Sequence, residues 1–121
     1  MSRYEEKAHE LIEQYSPSSP RDLADKMGIE VIVRPMPESI RGFFITVFGQ
    51  PYIAINSHLD DDLKNYTICH EIGHSVLHEG IGFYFLVNKT YFVLGKFERQ
   101  AEEIGRILYL AVCCGEEANI I

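Results

Sequence analysis

The sequence contains no apolar run of the roughly 18 residues that a membrane-spanning helix needs. Its first residues, Met1-Ser2-Arg3-Tyr4-Glu5-Glu6, are charged and lack the apolar core of a secretory signal. Basic residues are also few, because 11 Lys and Arg stand against 18 Asp and Glu, which gives a formal net charge of −7 at pH 7. This negative charge disfavours nucleic acid and anionic membranes as direct partners. We therefore expect a cytoplasmic protein.

Cysteine is scarce as well, with 3 residues at positions 69, 113 and 114. The number is odd, two of them are adjacent, and no Cys-x-x-Cys pair occurs, so neither a disulfide framework nor a cysteine metal site is indicated. We expect buried free thiols in a reducing compartment. Cys69 precedes His70 directly, but on a helix its side chain points about 100° away from that of His70, so we do not count it as a ligand.

Length and composition predict a single domain that spans residues 1–121. A chain of 121 residues that is 46% hydrophobic and 12% aromatic can bury one core. Hydrophobic periodicity, with capping and turn residues, predicts two N-terminal helices and a small sheet of about three strands. The predicted elements are a helix at 3–15, a helix that Ser19 caps and Gly28 ends, strands at 30–35, 41–48 and 52–56, and a turn at Gly49-Gln50.

The second half of the chain contains the motif His70-Glu71-Ile72-Gly73-His74. On a helix, residues four apart lie about 40° from each other around the axis, so both imidazoles can reach one ion. Glu71 lies beside that ion and can take a proton from a water that the metal activates. Flanking apolar residues on most sides predict a buried helix, in which unpaired His and Glu would be costly. The alternative is that the histidines are structural and are satisfied by hydrogen bonds. A zinc site explains the presence of Glu71 in a buried helix better than this alternative does.

A catalytic zinc site needs a third protein ligand, and a later helix offers two carboxylates. Residues from about Phe97 to Cys113 form that helix in our prediction, preceded by a loop or irregular hairpin at 80–96 in which Tyr84 and Tyr91 are candidate oxyanion donors. Small residues at positions 101 and 105 would let the two helices pack closely, bringing Glu98 or Glu102 to the ion. Geometry alone leaves both open, and a solvated charged face is the plain alternative.

Taken together, His70-Glu71-Ile72-Gly73-His74, the later Glu98-x-x-Ala101 and the upstream Leu23-Ala24-x-x-Met27-Gly28-Ile29 resemble the ImmA/IrrE family of zinc metallopeptidases. The resemblance covers about residues 18 to 110. It implies an α+β, zincin-like fold, with His70, His74 and Glu98 as zinc ligands and Glu71 as general base. It also implies a repressor protein as substrate, such as a phage or mobile-element immunity repressor. The chain departs from the family pattern at Glu102, Ile104 and Gly105.

The sequence therefore predicts a zinc-dependent endopeptidase, and two other functions were weighed against it. One is a regulator of the same fold that acts on a repressor by contact alone, which would not need Glu71. The other is a DNA-binding protein built on residues 19–33, which resemble the start of a helix-turn-helix unit. A β-branched strand stands there in place of a recognition helix, so we exclude direct DNA binding. The sequence gives no indication of the oligomeric state.

Overall fold

The computed structural model describes residues 2–77 and 90–115, excluding the side chains of residues 90–97. Within these ranges it contains four helices and a three-stranded sheet, which confirms the predicted α+β class. Their order along the chain is α1 (Arg3–Tyr15), α2 (Pro20–Lys26), β1 (Glu30–Arg34), β2 (Gly42–Val47), β3 (Gln50–Asn56), α3 (Asp61–Leu77) and α4 (Thr90–Cys113). None of the helices in the described part of the chain is both long and apolar enough to cross a membrane.

Capping side chains determine where the first two helices begin. Ser2 Oγ accepts a hydrogen bond from the Glu5 N–H at 3.1 Å, and the Glu5 carboxylate accepts one from the Ser2 N–H at 3.4 Å. Ser19 Oγ accepts from the Asp22 N–H at 2.9 Å, with Pro20 as the first residue of α2. The predicted cap at Ser19 is therefore confirmed.

The sheet has the order β1-β3-β2, with β1 parallel and β2 antiparallel to the central β3. A two-residue turn at Phe48 and Gly49 joins β2 to β3, and both residues have positive φ, 49° and 82°. Our prediction placed this turn one residue too late, because a type I′ hairpin turn has positive φ at both central positions and Gly49 is the second of them. Pro51 is tolerated in a central strand because pairing with β1 begins only at Tyr52.

Helix α3 is the element that the core is built around, and it contacts α2, α4, β2 and β3. Its residues Ile68 and Ile72 are buried, as the apolar flanks of the motif predicted. The other elements contribute the fully buried side chains Leu23, Ile53, Ile55, Ile104 and Leu108. Because the middle of α3 is buried between helices and sheet, its buried polar side chains, Thr67, Glu71 and His74, need partners.

Helix α4 begins earlier than predicted, at Thr90 and not near Phe97, so residues 90–96 are not a loop or hairpin. Periodicity alone does not separate a helix from a strand in a short apolar run, and the preference of aromatic and β-branched residues for strands favoured the wrong choice here. The rest of the predicted loop, with Tyr84, lies outside the described residues, as does the side chain of Tyr91.

The three thiols differ in burial. Cys69 is fully buried, whereas Cys113 and Cys114 are exposed, so the expectation of buried thiols is correct only for Cys69. Among the described residues of α4, Leu108 is the last that is fully buried, and the final turn of the helix extends past the core. Burial strongly raises the pKa of the Cys69 thiol, as expected for an unreactive core side chain.

Candidate metal centre

Two imidazoles lie one above the other on α3. The rings of His70 and His74 have centroids 4.9 Å apart and planes inclined by 73°. The helix that carries them is fixed at its start by Asp60, whose Oδ1 accepts a hydrogen bond from the Leu63 N–H at 2.8 Å. Both histidine side chains are largely buried, with 16% and 9% exposed.

A carboxylate from α4 lies between the two rings. Glu98 Oε1 is 2.6 Å from His74 Nε2, and Glu98 Oε2 is 3.2 Å from His70 Nε2. One ligand atom from each of these three residues lies within 4.8 Å of the others. Two ligand atoms on a tetrahedral zinc ion, each at about 2.0–2.1 Å from it, are about 3.3 Å apart. The spacing and the N, N, O donor set therefore fit such an ion with small side-chain shifts.

Small residues make this approach of the two helices possible. A Cβ atom added at Gly73 would lie 2.6 Å from the Ala101 carbonyl oxygen, and one added at Gly105 would lie 2.8 Å from His70 Cα. Real Cβ contacts are not this short, so neither glycine tolerates a side chain unless the helices separate. The predicted close packing of α4 on the histidine helix is confirmed, and it carries Glu98 to the two rings.

Glu102 contacts the other nitrogen of the first histidine. Its Oε2 lies 3.0 Å from His70 Nδ1, whereas Glu98 approaches Nε2 of the same ring. Glu98 and Glu102 are four residues apart on α4, so they face the same way one turn from each other. The sequence offered Glu98 and Glu102 as alternatives for the third ligand, but the structure places them at different nitrogens of His70. The spacing of four was the available signal, although it does not tell which nitrogen each carboxylate reaches.

Glu71 lies outside the group of three and is only 7% exposed. Burial raises its pKa, although the neighbouring His74 and His70 oppose that effect. Burial lowers the pKa of His70, but the Glu98 carboxylate and the charge of Glu71 outweigh it, so the pKa is raised. Hydrogen bonding to His70 and His74 lowers the pKa of Glu98. Glu98 is thus held as an anion, beside a second carboxyl group that retains its proton more readily.

A cleft of about 380 Å³ opens beside His70, Glu71 and Glu98. One wall is formed by residues of α3 and α4, and the other by the start of β2 and the segment before it. Its lining residues are Ser39, Arg41, Gly42, Tyr66, Thr67, His70, Glu71, Glu98 and Glu102. Strand β2 comes close to α3 here, since a Cβ added at Gly42 would lie 3.0 Å from Thr67 Cγ2. The three carboxylates therefore face a space that a peptide can enter.

An α+β domain with His-Glu-x-x-His on one helix and a glutamate from a later helix has the site of the metallopeptidase class. Comparison with known proteins narrows this class. Residues 24–113 match the family model Peptidase M78, described as the IrrE N-terminal-like domain. The chain belongs to this family, the ImmA/IrrE family that the sequence motifs resemble.

One relative of the chain is a phage protein. It is 34% identical over 91 residues to "Uncharacterized immunity region protein 2" of Bacillus phage phi105. The match covers 75% of this chain and 58% of that protein, so the chain spans little more than half the length of its relative.

Proposed function

We propose that the chain is a zinc-dependent metallopeptidase in which His70, His74 and Glu98 bind zinc and Glu71 is the general base. The observation that supports this most strongly is the convergence of three donor atoms from two helices within 4.8 Å of one another. Structural zinc sites take four protein ligands, whereas catalytic sites take three and leave a position open. The group found in the described residues has three members, and Glu71 adjoins it.

The proposed chemistry uses the residues as follows. Zinc in this group would supply a Lewis acid that polarises the scissile carbonyl and lowers the pKa of water toward about 7. The Glu71 carboxylate accepts the proton that the attacking water loses as its oxygen bonds to the carbonyl carbon. Glu71 then donates this proton to the leaving amine nitrogen as the C–N bond breaks. Its burial excludes the solvent that would otherwise compete for the proton.

The contacts of His70 separate the roles of the two carboxylates on α4. Glu98 approaches the Nε2 atoms of both histidines, which is the position of a ligand. Glu102 approaches only His70 Nδ1, which is the position of an acceptor that fixes the tautomer and orientation of a ligating ring. We therefore assign Glu98 as the third ligand and Glu102 as the residue that holds His70.

Strand β2 is the proposed support for an extended peptide. Within the described sheet it pairs only with β3, so its other edge has main-chain groups that can pair with a substrate. The strand begins at the cleft, where Gly42 lies close to Thr67 of α3. A peptide paired with this edge would pass over Glu71.

As substrate we propose a repressor protein in the cytoplasm, because the family resemblance implies one and the name of the relative refers to an immunity region. The test is incubation of the zinc-loaded chain with the repressor encoded beside its gene, followed by mass spectrometry of the products. We expect defined fragments with the parent chain and none with Glu71→Gln, which should still bind zinc. Cleavage that persists in Glu71→Gln would contradict the role of Glu71. Binding of the repressor without cleavage by the parent chain would instead favour a regulator that acts by contact.

A further inference from the structure

The segment between β1 and β2 is held against the cleft by one buried side chain, Asn56 at the end of β3. Asn56 is 2% exposed, and its Nδ2 lies within hydrogen-bond distance of the carbonyl oxygens of Met36, Pro37 and Ile40, at 3.1, 3.2 and 2.8 Å. The Asn56 N–H also donates to the Arg41 carbonyl oxygen at 2.8 Å. The backbone that leads to Arg41 is therefore anchored to the sheet.

Arg41 lines the cleft, yet its charge has no partner among the described residues. Its side chain is exposed, and no carboxylate of residues 2–77 or 98–115 lies within salt-bridge distance of its guanidinium group. Glu71, Glu98 and Glu102 line the same cleft as Arg41. An arginine this close to three carboxylates, but paired with none of them, is available to bind an anion that enters the cleft.

We propose that Arg41 binds a carboxylate of the substrate and so directs the peptidase to acidic peptides. This inference rests on the proposed function and names the substrate class of that same site. A peptide along β2 passes Arg41 next to Gly42, which lies close to Thr67 of α3. Thr67 is one helical turn before His70 and Glu71. The carboxylate that Arg41 binds therefore belongs within a few residues of the scissile bond. A planar guanidinium group binds a carboxylate through two parallel hydrogen bonds, which suits this task.

Arg41 is the only Lys or Arg among the described residues that line the cleft, so a carboxylate that enters the cleft has this one cationic side chain to bind. The formal net charge is −7, and the cleft itself contains three carboxylates. An acidic peptide would be repelled on approach, whereas a neutral peptide would not. The carboxylate can be an Asp or Glu side chain or the C-terminal group of a peptide, and the experiment distinguishes these.

The test measures retention of peptides, so it does not depend on cleavage. The zinc-loaded full chain carrying Glu71→Gln is immobilised and exposed to a synthetic library of 14-residue peptides with diverse sequences, half of them amidated at the C-terminus. We expect amidated peptides with Asp or Glu to be retained about threefold to tenfold more than their Asn or Gln counterparts. Adding Arg41→Ala should abolish this preference, and adding Arg41→Lys should restore part of it. Adding Arg106→Ala, which removes an exposed arginine of α4 outside the cleft, should leave it unchanged.

Each result decides the proposal. A preference restricted to peptides with a free C-terminus assigns Arg41 to the terminal carboxylate. If the immobilised Glu71→Gln chain shows no preference for carboxylates, or if the preference survives the added Arg41→Ala, the inference is overturned, even if the unsubstituted chain cleaves peptides. An equal loss of acidic and neutral peptides in Arg41→Ala overturns it too, because that result would indicate contact with the peptide main chain. If acidic retention depends on Arg41 while no peptide is cleaved, the inference stands and the proposed hydrolysis fails.

Discussion

Gly105 of α4 lies directly against the backbone of His70, so close that an added Cβ atom would be 2.8 Å from His70 Cα and 3.0 Å from its N. The same helix contacts α3 a second time at Gly73, where an added Cβ atom would be 2.6 Å from the Ala101 carbonyl oxygen. The metal ligands are therefore positioned by the distance between two helix backbones, and small residues determine that distance.

Gly105→Ala tests this packing because two effects predict opposite signs. Helix propensity alone would raise the free energy of unfolding by about 1 kcal/mol. The clash with the backbone of His70 cannot be relieved by a rotamer change, so we expect a decrease of about 1–2 kcal/mol and weaker zinc binding. Urea denaturation measures the free energy of unfolding. Arg106→Ala, at the exposed residue next to Gly105, is the control and should change this free energy little. A more stable Gly105→Ala variant would show that the helices are not in such close contact.

Glu98→Ala and Glu102→Ala should differ in their effect on zinc affinity, measured by competition with a chromophoric chelator. Loss of Glu98 removes a ligand, and we expect a decrease of more than about 100-fold. Loss of Glu102 removes only the hydrogen-bond partner of His70 Nδ1, and the loss of such a partner typically lowers metal affinity by about 10- to 100-fold.

A matched control for this pair is Glu103→Ala, which removes the same charge from the same turn of α4. The Glu103 carboxylate accepts a hydrogen bond from Ser2 Oγ at 2.9 Å and does not face the histidines, so zinc affinity should be close to that of the parent. If Glu102→Ala weakened zinc binding more than Glu98→Ala did, the ligand assignment would be reversed.

Asn56→Ala should destabilise the fold by about 2–4 kcal/mol, because it removes the buried partner of several main-chain groups at once. Thermal unfolding measures this loss. Asn65→Ala on α3 is the control, since the Asn65 side chain forms no hydrogen bond with the described residues and should change stability by well under about 1 kcal/mol. Equal effects of the two substitutions would mean that Asn56 does not anchor the segment before β2.

The thiols give a test of the core. In the native protein, a disulfide reagent such as dithiobis(nitrobenzoate) should react with the exposed Cys113 and Cys114, and with Cys69 only after denaturation. Burial excludes the reagent from Cys69 and keeps its thiol protonated. Rapid reaction of all three thiols would contradict the packing of α4 on α3.

The sequence predicted the parts of this structure that depend on local spacing. The positions of α1, β1 and the histidine helix follow from periodicity and capping, and the motif brings His70 and His74 together because both are on one helix. The arrangement of Ala101 and Gly105 was also predictable, since small residues four apart indicate close packing of helices.

Other features depend on which distant segments meet, and local spacing does not contain that information. Nothing near Glu102 indicates that it reaches His70 Nδ1 while Glu98 reaches Nε2, because that depends on how far α4 is shifted along α3. The parallel pairing of β1 with β3 and the contact of Asn56 with the segment at 36–41 are likewise long-range. The start of α4 at Thr90 was missed because a short apolar run fits both kinds of secondary structure.

The central claim is that one divalent ion is bound by side chains from two helices. Anomalous diffraction at the zinc absorption edge, from crystals of the zinc-loaded chain, tests it most directly. We predict a single strong peak about 2.0–2.2 Å from His70 Nε2, His74 Nε2 and a Glu98 oxygen, with Glu102 remaining at His70 Nδ1. A peak bound by Glu102 in place of Glu98, or no peak between the two rings in fully loaded protein, would contradict the account.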